Sequence, residues 1–172
     1  MRWLILKISG HPKYSIWLLP SKNDHKLIYN KIEELSKVYN SQSFQPHCTL
    51  FSPVFDLELA KDIIQEIDIN PFKVKTIKLN QSSNIWKTVF IELEKNELLN
   101  QLYQLFQNKQ PPNEDFVPHI SLIYKTMKEK ERMGIVDSLR IQQFYEFSGI
   151  AIIDTSKAVE HWKTVYEVFW NE

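Results

Sequence analysis

The chain has 172 residues, 43% of them apolar and 24% charged, which allows one well-cored unit and excludes wholesale disorder. Lys and Arg number 21 and are matched by 21 Asp and Glu, so the formal net charge is zero. A protein that tracks long nucleic acid displaces counterions from many phosphates and needs a basic excess, which this chain lacks. Small ligands, singly phosphorylated ones included, stay open. The single cysteine, Cys48, cannot form an internal disulfide, and no apolar run reaches the roughly 20 residues of a membrane span. The expectation is a soluble, cytoplasmic, monomeric protein with one domain over residues 1–172, bound to no membrane.

Taken in chain order, the amino-terminal MRWLILKISG is interrupted by Lys7 and lacks a small-residue cleavage site, so it reads as a first strand. YSIWLLP (14–20) reads as a buried strand stopped by Pro20. Ile28, Ile32, Leu35 and Tyr39 recur at helical spacing over about 24–40, and HCTLFS (47–52) reads as a short strand. Asp56 can cap a second helix whose stripe is Ala60, Ile63, Ile64 and Ile67. FKVKTIKLN (72–80) and WKTVFIELEK (86–95) read as an antiparallel pair. Alternation in the second puts Val89, Ile91 and Leu93 on one face and Trp86, Thr88 and Phe90 on the other.

Asn96 can cap a third helix carrying Leu98, Leu99, Leu102, Leu105 and Phe106. NKQPPNED (108–115) is a loop, VPHISLIY (117–124) a strand, and Thr126 with Glu129 makes a capping-box pattern for a fourth helix. Residues 141–170 hold two or three strands, with Trp162, Thr164, Tyr166, Val168 and Trp170 on one face. Helices interleaved with short strands beside hairpin-like turns point to an α+β fold rather than a doubly wound parallel sheet. Three glycines cannot supply a glycine-rich phosphate loop.

Two segments carry the chemistry. Residues 46–50 read Pro-His-Cys-Thr-Leu and residues 118–122 read Pro-His-Ile-Ser-Leu, with the histidines 72 positions apart. Each follows a helix and an irregular stretch, so the chain reads as two related halves. On a strand, i and i+2 share a face, which aligns His47 with Thr49 and His119 with Ser121 and turns Cys48 and Ile120 away. Two such strands side by side give a cleft with two imidazoles and two hydroxyls, equipment for phosphate ester cleavage without a metal. One neutral histidine can take a proton from water while the other, protonated, supplies one to the leaving oxygen. The hydroxyls can bind the non-bridging oxygens as charge builds there. A zinc site is the rival reading, but Cys48 faces away from His47 and no further thiol or carboxylate has ligand spacing, so no metal and no cofactor is expected.

The sequence resembles the two-histidine phosphoesterases, and within them the plant and yeast type of cyclic phosphodiesterase. The matching blocks are YSIWLLP (14–20), FQPHCTL (44–50), FVPHISLIY (116–124) and the Asp-Thr-Ser…Trp-Lys-Thr-Val ending (154–165). The resemblance implies a two-lobed, pseudo-symmetric fold in which two antiparallel sheets face a central cleft, with helices outside. It implies catalytic His47 and His119, phosphate-binding Thr49 and Ser121, and a ligand-holding role for Tyr124. Strict alternation puts Tyr124 on the face opposite His119, so that role needs a strand end or twist. The implied substrates are nucleoside 2′,3′-cyclic phosphates or ADP-ribose 1″,2″-cyclic phosphate. RNA 2′,3′-cyclic end processing, a 2′–5′ RNA ligase-type activity and a non-catalytic nucleotide- or RNA-binding module are the alternatives. Trp86 and Phe90 are expected to line the cleft, either stacking on a base or packing against the opposite lobe. Lys87 and Lys125 either meet a terminal phosphate or are solvated, and His11, His25 and His161 lack the repeated context.

Overall fold

Among the described residues, apolar alternation builds seven strands: β1 (Tyr14–Pro20), β2 (Cys48–Val54), β3 (Phe72–Gln81), β4 (Val89–Leu93), β5 (His119–Ile123), β6 (Phe144–Asp154) and β7 (Lys163–Phe169). Four helices intervene: α1 (Lys22–Tyr39), α2 (Leu57–Gln65), α3 (Glu97–Gln107) and α4 (Glu129–Ser138). The structure, a computed structural model, describes residues 13–54, 56–108 and 116–170. The expected amino-terminal strand, His11 and most of the 108–115 loop lie outside the described residues.

Helix ends follow the side chains. The Asp56 carboxylate accepts from the Leu59 N–H (3.0 Å) and the Asn96 side-chain oxygen from the Leu99 N–H (2.9 Å), as the sequence predicts. At α4 the expected Thr126–Glu129 box does not form. Lys128 is the cap residue, its N–H donating to the Glu131 carboxylate at 3.0 Å, while the Arg132 guanidinium holds the Met127 carbonyl at 2.5 Å and the Gln81 side chain at 2.6 Å. These charge-assisted bonds fix the start of the helix two residues later than a threonine cap would.

Hydrogen bonding runs in the order β1-β2-β5-β4-β3-β6-β7, every pair antiparallel, and β1 also pairs with β6. Six strands therefore close a ring, with β7 added outside it. The two separate sheets expected from the resemblance are joined here into one. Strand β6 makes the joint because its 11 residues serve both halves: 144–147 pair with β3, while 149–154 lie between β1 and β7.

The main core lies between the ring and its helices, with α1 against β1 and β5, α2 against β6 and β7, α3 against β2, and α4 against β3 and β4. Ile28 and Ile32, Leu99 and Phe106, Ile63 and Ile64 fill it from the helices, and Leu50, Ile91, Phe147 and Tyr145 from the strands. Each such side chain contributes roughly 1.5–3 kcal/mol of transfer free energy. A small second cluster, Trp17, Ala151 and Ile153 with Leu19 and Trp162 against it, sits on the inner face of the sheet.

Two strand readings are corrected. Trp86 precedes β4 and lies in a 3-10 turn (Ile85–Lys87), because the Asn84 side chain caps the Trp86 N–H at 2.9 Å and breaks the strand. In the carboxy-terminal strand Tyr166, Val168 and Trp170 do reach the main core, but Trp162 and Thr164 do not. A register shift between Ile152↔Tyr166 and Ile153↔Thr164 inserts one residue and reverses the alternation.

Candidate functional site

Strands β2 and β5 touch through one rung, Cys48 opposite Ile120. The antiparallel register fixed by that rung sets His47 across from Ser121 and Thr49 across from His119. All four point to the face opposite the buried Cys48 and Ile120. They form a rectangle about 5 Å by about 7 Å at the backbone, from the inter-strand spacing and the rise of two residues. The sequence repeat thus becomes a local two-fold arrangement centred on the Cys48–Ile120 pair.

Each motif also orients its own imidazole. His47 Nδ1 lies 2.7 Å from the Gln45 carbonyl, and His119 Nδ1 lies 2.8 Å from the Val117 carbonyl. Both partners sit two residues back, across Pro46 and Pro118. A residue before proline is held extended, and proline has no N–H to donate, which leaves the preceding carbonyl for the ring. A proton on Nδ1 leaves Nε2 of both rings as the working nitrogen.

The two rings differ in surroundings. His47 is 5% exposed and lies flat on the Trp17 indole, centroids 3.4 Å apart and planes 4° apart, with Phe44 edge-on at 6.2 Å. Burial lowers its pKa to about 3, against the opposing Gln45 carbonyl bond, and His119 adds a smaller push in the same direction. His119 is also lowered by burial, less completely enclosed. The Val117 carbonyl and Glu92 favour its charged form and Lys87 opposes it. Glu92 sits opposite His119 in the β4–β5 register.

The two hydroxyls are not equivalent. The Thr49 hydroxyl has no hydrogen-bond partner among the described residues and faces the cavity. The Ser121 hydroxyl is 4% exposed and donates to the Trp86 carbonyl at 2.7 Å. It therefore presents its lone pairs first, and must rotate to donate to a phosphate oxygen.

Tyr124 reaches the histidine face despite its parity. Strand β5 ends at Ile123, and the Thr88 hydroxyl, 2.9 Å from the Lys125 carbonyl, takes over that backbone and turns the chain. The Tyr124 ring stacks on Phe44 (3.9 Å, 15°) and its hydroxyl stands 3.5 Å from His47 Nε2. Burial raises its pKa, partly offset by a hydrogen bond with Ser121, so the phenol stays protonated.

The other candidates separate. Trp86 is half exposed and makes edge contact with Tyr124 (5.3 Å, 75°) and a closer-to-parallel one with Trp162 (5.9 Å, 29°). Phe90 is 7% exposed and meets the His119 ring edge-on at 5.5 Å, so it backs the imidazole and offers no free face to a base. Lys87 lines the cavity, while the Lys125 ammonium is spent on the Tyr39 and Asn40 carbonyls at the end of α1. Cys48 is buried and its thiol is pushed up to about 12.

Trp17 and Trp162 were not singled out by the sequence, and both line the site. The parity of Trp17 with Ser15 in a strand read as wholly buried was the available signal. The cavity has a volume of about 440 Å³, the scale of a site for one small ligand. Lys13, Lys87 and Lys157 line it, and no carboxylate does among the described residues. Nor do three or more His, Cys, Asp or Glu cluster there as a metal-binding group. No helix among the described residues is long and apolar enough to cross a membrane.

Among solved structures, the fold is similar to E. coli LigT complexed with 3′-AMP, with a TM-score of 0.59, 14% identity, and coverage of 95% of this chain and 100% of that one. TT0787 of Thermus thermophilus aligns with the same TM-score and identity over 91% of this chain and 97% of its own. Among curated proteins none matches significantly. The model of the family described as cyclic phosphodiesterase-like protein matches residues 13–169, the span that holds both histidine strands, Tyr124 and both indoles. With the paired Pro-His-x-(Thr/Ser)-Leu strands on one closed antiparallel ring, the chain belongs to the cyclic phosphodiesterase-like family of the two-histidine phosphoesterases.

Proposed function

We propose that the protein hydrolyses small cyclic phosphates, nucleoside 2′,3′-cyclic phosphate or ADP-ribose 1″,2″-cyclic phosphate, without a metal, as the plant and yeast type of cyclic phosphodiesterase does. The carrying observation is the rectangle of His47, Thr49, His119 and Ser121 around the Cys48–Ile120 rung. In this reading the two halves, each delivering one histidine and one hydroxyl, are the two pseudo-symmetric lobes, and the cavity between them is the cleft.

Burial keeps His47 neutral, so its Nε2 takes the proton from the attacking water. The water oxygen bonds to phosphorus, the bond to one ribose oxygen breaks, and that oxygen receives the proton from His119 Nε2. The product is a phosphomonoester, and the two histidines exchange protonation states and reset with solvent. Thr49, the three lysines and, after rotation, Ser121 meet the phosphate oxygens. Tyr124, protonated, donates toward the same group, and Trp86 presents an aromatic face for a base.

A 2′,3′-cyclic RNA end presents the same reacting group, and a 2′–5′ ligase-type activity is the same ring opening with a ribose 5′-hydroxyl attacking phosphorus in place of water and the 3′-oxygen leaving. A non-catalytic module would bind and not turn over. The test is turnover of a nucleoside 2′,3′-cyclic phosphate in excess chelator, with products resolved by phosphorus NMR. A single phosphomonoester is expected, with kcat lowered about 10²–10⁴-fold in His47→Ala and His119→Ala. Complete loss on chelation, restored by one divalent ion, overturns the metal-independent reading; binding without turnover overturns the enzyme.

A further inference from the structure

The inner face of the sheet does not end at the histidine cavity. A larger one, about 870 Å³, adjoins it, and the two share Trp17 and Trp162, which meet edge to face at 5.6 Å. Its floor is the β6–β7 sheet, where the Phe169 ring lies over Gly149 so closely that a Cβ there would stand 2.8 Å from it. Phe169 is nonetheless 59% exposed, an aromatic face held in place and open. From α1, His25 and Tyr29 present a second aromatic surface, their rings 10° from parallel. Gln42 and Ser43 supply amide and hydroxyl groups at the rim.

Charge divides the two cavities. Three lysines and no carboxylate line the histidine cavity among the described residues. The adjoining one carries, among the described residues, Glu160 and Glu167 against Lys22. A phosphate is therefore drawn to the first and repelled from the second, whereas a neutral heterocycle loses nothing electrostatically in the second and gains aromatic contact. A mononucleotide fills only the first.

From this partition we infer that the second cavity is a subsite for a distal nucleoside, joined through phosphate to the ribose that carries the cyclic ester. The inference rests on the proposed reaction and narrows its substrate class. The cyclic phosphate lies among the histidines, the linking phosphate stays on the lysine side of the two indoles, and the far base rests on the Tyr29 and Phe169 surfaces. Two kinds of molecule share this chemistry: an RNA end, whose link is a phosphodiester, and a nucleoside pyrophosphate, whose link is longer and carries one more charge.

The experiment compares three ligands: a nucleoside 2′,3′-cyclic phosphate, a 3′,5′-linked dinucleotide with a terminal 2′,3′-cyclic phosphate, and ADP-ribose 1″,2″-cyclic phosphate. Kd is measured by calorimetry on the His119→Ala protein and kcat/KM on the wild type. At least one of the two extended ligands is expected to bind roughly 5- to 150-fold tighter than the mononucleotide, the usual worth of one stacked base. Which one gains identifies the link. Tyr29→Ala and Phe169→Ala should bring the ratio of the two substrates back toward one. Equal affinity for all three ligands, or a preference that survives both substitutions, overturns the subsite. Mononucleotide turnover in that case leaves the proposed reaction standing, and binding of all three without wild-type turnover refutes the reaction alone.

Discussion

His47→Gln tests whether the buried imidazole is neutral, as its role requires. In the folded chain its pKa is lowered from 6.5 to about 3, so the unfolded chain binds a proton that the folded one refuses over that window. Stability is then intact above pH 6.5 and falls as pH drops toward 3, by about 1.4 kcal/mol per unit for one group. Between pH 6.5 and 4.5 this amounts to about 3 kcal/mol. The substitution removes that loss while giving up the Trp17 stack and the Gln45 bond. These make the variant less stable near neutrality by about 1–3 kcal/mol. Urea midpoints measured on both proteins at pH 7, 5.5 and 4.5 should converge on acidification, the wild type losing about 3 kcal/mol more than the variant. Carboxylates and His119 titrate in both and cancel in the difference. Parallel curves would show that His47 titrates normally and that burial is not holding it neutral.

The same groups set the rate profile: with both histidines below 6.5 in the free protein, kcat/KM should fall as pH rises from 6 to 8, as the protonated fraction of His119 declines. A rise over that range would contradict the assignment of His119 as the acid. Thr49→Ala, which removes a hydroxyl with no protein partner among the described residues, should cut kcat by up to roughly 10²–10³, whereas Thr49→Ser retains most activity. Ser121→Ala should cost less in kcat and more in stability, about 1–2 kcal/mol, because it strips the Trp86 carbonyl of its donor; equal kinetic losses in both alanine variants would refute this distinction. Cys48 should resist iodoacetamide in the native protein at pH 8 and react once unfolded, since its thiol titrates near 12.

The shared face of the four proposed site residues was legible because a strand's period of two is unconditional: His and a hydroxyl two apart share a face wherever the strand lies. The helix stripes and the Asp56 and Asn96 caps were legible for the same local reason. What stayed hidden depends on contacts between distant segments. Tyr124 returns to the site where Thr88, at the end of the 3-10 turn before β4, bonds the Lys125 carbonyl and β5 stops at Ile123. Trp17 looked like ordinary core, since nothing local says that Trp17 will be paired with Thr49 and meet the His47 ring. For Phe90 the sequence left stacking on a base and packing both open, because parity does not reveal that the His119 ring meets it edge-on.

Strands β1 and β6 are zipped along seven paired positions, whereas β2 and β5, which hold the two histidine motifs, share one. The ring is thus most sparsely paired at the proposed site. Its circumference is set by five firm seams, and the gap between the imidazoles takes up whatever slack they leave. A ligand gripped by Thr49 from one side and His119 from the other is then a stitch across the loosest seam, and it tightens the whole hoop. Amide protons along β2 and β5, far beyond those that touch the ligand, should exchange more slowly once the cavity is filled.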